Sequence, residues 1–121
     1  MPHLHLEYTH NLPDIDPDKL LLRLNHALVG TGQFANEADI KARAVKVEVF
    51  RVGTAPGERA FMFVKLAILG GRSAEVKKQL SDTLLAVLGE ASDWPAGLDV
   101  QLGVEIVDMD RESYGKQRIG H

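Results

Sequence analysis

The chain repeats one order of segments: an alternating run, a helical run and a second alternating run, then the same three again. From His3 to Tyr8, Leu4, Leu6 and Tyr8 fall on one side and His3, His5 and Glu7 on the other. That is the period of a half-buried strand. Asp16-Pro17 opens a helix predicted over residues 17–29, with Asp as the cap and Pro at the first helical position, where its missing N–H costs nothing. Leu20, Leu21, Leu24 and Leu28 share a face, and Gly30 is the expected stop. The loop 31–36 and a patternless segment to about Lys41 follow; the next strand is predicted from Arg43 to Val52, where Val45, Val47 and Val49 alternate with Lys46 and Glu48.

After the turn Thr54-Ala55-Pro56-Gly57, the second round begins. Phe61 to Leu69 is apolar on both sides except for Lys65, which predicts a central strand covered on both faces. Ser73 caps a helix whose inner face carries Val76, Leu80, Leu84, Val87 and Leu88, closing near Gly89. Leu98 to Ile106 alternates again as the last strand, and residues 108–121 read as a polar arm without a core face. Two βαβ units result, each with a right-handed crossover and a parallel pair of strands. The expected architecture is α+β in two layers, a four-stranded sheet with both helices on one face. Residues 1–121 are expected to form one domain, with halves at about 2–52 and 60–107 and the arm beyond. The apolar second face of the Phe61–Leu69 strand then needs a cover, and another copy of the chain is the expected one.

Composition narrows the function. A chain of 121 residues with net charge −3 and no basic run is not built for nucleic acid. No apolar stretch approaches the roughly 20 residues of a membrane span, and no signal-peptide layout opens the chain, so a cytoplasmic protein without a membrane partner is expected. Without cysteine there is no disulfide, thiolate nucleophile or cysteine-based zinc site.

The chemistry points to Met1-Pro2. Removal of Met1 would make Pro2 the terminal residue directly before a strand, placing an amine in the sheet. A free α-amino group has a pKa of about 7.7–8.0, and burial and nearby cations both lower it. Such a proline is neutral near pH 7 and can act as a general base. If Met1 stays, the nitrogen is an amide and cannot, which leaves a second reading open: the same fold as a binding or structural module. His3, His5 and Glu7 share a strand face and suggest a metal site, but such spacing on one strand rarely closes round an ion. A polar subunit contact is the preferred role for the two histidines. Gly70-Gly71-Arg72-Ser73 lacks the spacing and lysine of a phosphate loop.

The segments Met1-Pro2-His3, Glu7-Tyr8, Asn11-Leu12, Thr31-Gly32-Gln33-Phe34, Ile40-Lys41-Ala42-Arg43 and Gly70-Gly71-Arg72-Ser73 resemble the 5-carboxymethyl-2-hydroxymuconate isomerases of the tautomerase superfamily. The resemblance implies a tautomerase-like homotrimer and a cofactor-free, metal-free isomerase in the catabolism of aromatic acids such as homoprotocatechuate. It implies that Pro2 carries a proton from an enol oxygen to carbon of an unsaturated hydroxy/oxo polycarboxylate, and that arginines hold the carboxylates. Pro2 and Arg72 fall on the family's catalytic positions. The family usually reads Ile-Arg-x-Arg where this chain has Ile40-Lys41-Ala42-Arg43. Lysine keeps the charge but loses the planar two-pronged geometry. Arg43 and Lys41 are thus the two candidates for the second carboxylate partner. Their ordinary alternatives are an ion pair at a strand end and a surface lysine.

Overall fold

The computed structural model describes residues 1–120. Four strands and two helices follow in the order β1 (His3–Thr9), α1 (Pro17–Gly30), β2 (Lys41–Val47), β3 (Arg59–Leu69), α2 (Ala74–Gly89) and β4 (Asp99–Met109), with a 3₁₀ turn at Glu37–Asp39. The strands lie in the order β2-β1-β3-β4. β1 is parallel to β2, β3 is parallel to β4, and β1 and β3 join the halves antiparallel. The fold is therefore the expected α+β arrangement, with two βαβ halves sharing one sheet.

Both helices start as the sequence requires. The Asp16 carboxylate accepts the Lys19 N–H at 3.2 Å, and the Ser73 hydroxyl accepts that of Val76 at 3.2 Å. Such caps stabilise a helix by about 0.5–2 kcal/mol. Each helix then buries one leucine stripe, Leu20, Leu24 and Leu28 on α1 and Leu80, Leu84 and Leu88 on α2. These pack on Leu4, Leu6, Met62, Val64, Leu66 and Ile68 from the two central strands. Truncating one such leucine to alanine removes about 2–5 kcal/mol.

Two expectations need correcting. α1 passes through Gly30, and the left-handed residue that turns the chain away is Gly32, at φ 77°. β2 covers Lys41–Val47 instead of Arg43–Val52. It is an edge strand whose only neighbour, β1, ends at Thr9 opposite Val47, so nothing remains for residues 48–52 to pair with. Val49 is accordingly 92% exposed, while Phe50 turns back to meet the edges of His10 and Phe61. As expected, the helices cover one face of β3 only. The other carries half-buried Phe61, Phe63, Ala67 and Leu69 with exposed Lys65. Gly103 opposite Phe63 has no side chain, and a Cβ there would meet the ring at 3.3 Å.

The arm is the largest surprise. β4 runs on to Met109, where the Gly70 N–H bonds to the Met109 carbonyl at 3.0 Å. A turn closed by Tyr114 N–H to Asp110 O at 3.1 Å then sends the chain back across the strand ends. Arg111 Nε donates to the Gly70 carbonyl beside β3, Tyr114 meets His3 of β1, and Lys116 reaches Asp39 just before β2. The arm is a strap over one end of the sheet.

Candidate active site

That strapped end is where β1 begins, β3 finishes and α2 starts. Pro2 is buried there. Its carbonyl accepts the Lys41 N–H at 3.1 Å, which extends the β1–β2 ladder by one step and fixes the residue. Beside it opens a cleft of about 90 Å³, lined by Met1, Pro2, Phe34, Ile68, Leu69, Arg72 and Arg111. No acidic side chain lines it.

The terminal amine, here that of Met1, lies 4.0 Å from the Asp39 carboxylate. Its pKa is held below the ordinary 8.0 chiefly by burial; Asp39 pulls it up, and Lys41, Lys116 and Arg72 push it down. Asp39 is itself held below the usual carboxylate value, first by the hydrogen bond from Lys116 Nζ at 2.6 Å. One carboxylate thus sits among several cations, and burial with positive charge favours a neutral amine.

Arg72 stands where the sequence places it, directly before the Ser73 cap. Its Nη2 donates to the Gln33 carbonyl at 2.8 Å and its Nε to Gln33 Oε1 at 3.4 Å, while the guanidinium lies 4.9 Å from the centre of the Phe34 ring. The loop 31–36, turned by Gly32, grips one edge of the guanidinium, and among the described residues Nη1 makes no hydrogen bond. The motif Thr31-Gly32-Gln33-Phe34 is the holder for Arg72.

The structure brings Pro2 and Arg72 together but leaves Lys41 and Arg43 out of the cleft wall. Lys41 Nζ donates to the Asp39 carbonyl. Its pKa is lowered by burial first and by Lys116 next. Arg43 points along the open face of the sheet, donating to His3 Nδ1 at 3.1 Å and to His5 Nε2 at 3.0 Å. A guanidinium has only hydrogens to give, so both ring nitrogens accept and both histidines are neutral. His3 then donates from Nε2 to the Tyr114 hydroxyl at 2.9 Å. Burial first, then the Arg43 charge, keeps the pKa of both rings below 6.5. Among the described residues no group of three or more His, Asp or Glu side chains is placed to hold a metal ion. Sequence reasoning missed Arg111, Asp39, Lys116 and Tyr114. Only the turn signature Asp110-x-x-Ser113 hinted that the arm folds back, and Ser113 Oγ indeed donates to Asp110 Oδ2 at 2.6 Å.

The family model described as 5-carboxymethyl-2-hydroxymuconate isomerase matches residues 2–120. The chain belongs to that family. A solved 5-carboxymethyl-2-hydroxymuconate isomerase from Deinococcus radiodurans R1 is 34% identical, with TM-score 0.86, covering 98% of this chain and 90% of that one. A 5-carboxymethyl-2-hydroxymuconate delta-isomerase shares the fold at 19% identity and TM-score 0.77, covering 99% and 89%. A fused 4-OT in a symmetric trimer does so at 18% and 0.74, covering 95% and 93%. No curated protein matches the chain. Membership in the family makes this protein a tautomerase-type isomerase. No described helix is long and apolar enough to cross a membrane.

Proposed function

We propose that, once Met1 is removed, this isomerase uses the Pro2 amine to move a proton between the enol oxygen and a carbon of an unsaturated hydroxy/oxo polycarboxylate, with 5-carboxymethyl-2-hydroxymuconate the first candidate. The observation that carries the reading is the buried Pro2 opening on a cleft with arginines and no acid in its wall. The neutral amine takes the enol proton as the O–H bond breaks. The oxygen's electron pair forms the carbonyl, the double bonds shift, and the same proton returns to carbon as a C–H bond. Nothing is oxidised, so the step needs no co-reactant. The intermediate is an enolate, and the Arg72 guanidinium beside the α2 N-terminus opposes its charge. A 90 Å³ cleft is small against ligand sites of about 300–1,000 Å³, and departure of Met1 takes away part of its wall.

A homotrimer completes the proposal. The half-buried apolar residues on the open face of β3 support it, as does the trimer printed for the fused 4-OT of the same fold. Light scattering at micromolar concentration should give three times the chain mass of 13.3 kDa, and a monomer would remove the claim. For the base, the Met1-free and Met1-bearing chains should be assayed side by side on unsaturated 2-hydroxy acids. Positioned base catalysis is worth about 10²–10⁴-fold, so retention of Met1 should cost that much, and equal rates would rule Pro2 out. The second reading, a binding or structural protein without turnover, holds if Met1 stays on the chain and makes the Pro2 nitrogen an amide. Mass spectrometry of the protein from its native host decides between the two.

A further inference from the structure

We infer that Arg111, carried by the C-terminal strap, is the second carboxylate-binding arginine of the cleft, so that the site selects acids with a carboxylate at each end. The inference rests on the reading of this cleft as an isomerase site for anions. Arg72 and Arg111 both line it, together with Pro2. Each is anchored by part of its fork to a backbone carbonyl, Arg72 to Gln33 and Arg111 to Gly70. Neither makes an ion pair among the described residues, where the other pairs use Arg23, Lys77, Lys78, Lys116 and the terminal amine.

Two guanidinium groups at one small cleft repel each other across a medium that screens them less than bulk water does. Without an acid in the wall, a bound dianion is the arrangement that relieves this. The fork of an arginine suits a carboxylate better than a lysine does. The two cations expected from the sequence to fill the second position are engaged elsewhere, Lys41 on the Asp39 carbonyl and Arg43 on two histidines. Arg111 is also held where it is. The Gly70-Gly71 turn that receives it has Gly71 at φ 123°, a left-handed conformation that favours glycine. Beyond it the strap is pinned by Tyr114 on His3 and Lys116 on Asp39.

The test compares Arg111→Gln and Arg111→Lys with the unaltered chain, all freed of Met1. The substrates are an unsaturated 2-hydroxy acid with a carboxylate at each end and its analogue whose distal carboxylate is a methyl ester. A hydrogen bond to a charged partner is worth about tenfold to over a hundredfold. Arg111→Gln should lose that factor in kcat/KM on the diacid, mainly through KM, and little on the ester. Arg111→Lys should recover part of the loss. Equal losses on both acids, or none on the diacid, overturn the inference. Calorimetric titration with adipate and hexanoate, which cannot react, separates it from the isomerase reading. If no acid is turned over but Arg111→Gln selectively weakens adipate, the reaction is wrong and Arg111 stands. If turnover is normal and the preference for the diacid survives in Arg111→Gln, Arg111 is wrong and the reaction stands.

Discussion

At one end of the sheet β1 begins, β3 finishes and α2 starts from Ser73; at the other, β3 begins, β1 finishes and α1 starts from Asp16. The doubled βαβ plan gives both ends a strand start, a strand finish and a capped helix N-terminus. Their side chains differ. The first end holds Arg72, Arg111, Lys41 and Lys116 around the terminal amine, and Asp39 is the acid paired with that amine. The second gathers Asp14, Asp16, Asp18 and Glu58, and its Arg59 is already used, donating from Nη1 to the Val52 carbonyl at 2.9 Å. Both helix dipoles favour anions, so the dipole does not separate the ends. Side chains placed on a repeated frame do.

The sharpest break between the ends comes from removing one arginine at each. If Arg72 holds a substrate carboxylate, Arg72→Ala should lower kcat/KM for a polycarboxylate by about tenfold to over a hundredfold, and less for an analogue lacking that carboxylate. Arg23→Ala, at the acidic end, removes an exposed pair with Glu90 at 3.4 Å and should leave kcat/KM unchanged in the same assay. If both variants lose activity alike, the asymmetry between the ends is not what makes the site.

A finer cut concerns the amine. Asp39 raises its pKa and Lys41 lowers it. In an NMR titration Asp39→Asn should therefore move the amine further below 8.0, and Lys41→Gln should move it up. No shift in either variant would mean that burial alone sets the value.

The smallest expected effect lies on the open face near the strap. His3 and His5 are neutral acceptors for Arg43, with folded pKa values below 6.5. The unfolded chain binds more protons in the window from 6.5 down to those folded values. Stability is then full above that window and falls as the pH drops through it. Acid-side Tm measurements should show this slope, and His3→Gln should flatten it. An unchanged slope in that variant would assign the acid loss to other groups.

What the sequence showed was what neighbours along the chain decide. Strand alternation, the Asp16 and Ser73 caps and the leucine stripes depend on residues a few positions apart, and all appear in the fold. Pro2 and Arg72 were readable because each sits at the lip of such an element. The early end of β2 was not, since Val49 still alternates correctly and only the absence of a strand beyond Thr9 releases it. Lys41 and Arg43 looked like free cations because their partners lie in space: Arg43 meets His3 across 40 positions. The strap was hidden for the same reason, since a polar arm without periodicity gives no sign that Lys116 meets Asp39 77 positions away.

The strap also sets an order of assembly. Synthesis runs from the amino end, so Pro2 and His3 leave the ribosome early, and β1 can pair with β2 after about forty residues, whereas His3 must wait for Tyr114, 111 positions later. Closing so long a loop is entropically dearer than closing the local turns. The outer wall of the cleft is therefore among the last parts to settle. A chain stalled after β3 would carry its amine and Arg72 with no Arg111 to face them. On this ordering the proposed diacid selectivity would belong to the released chain, and the nascent one would pass through a stage that has the amine before it has Arg111.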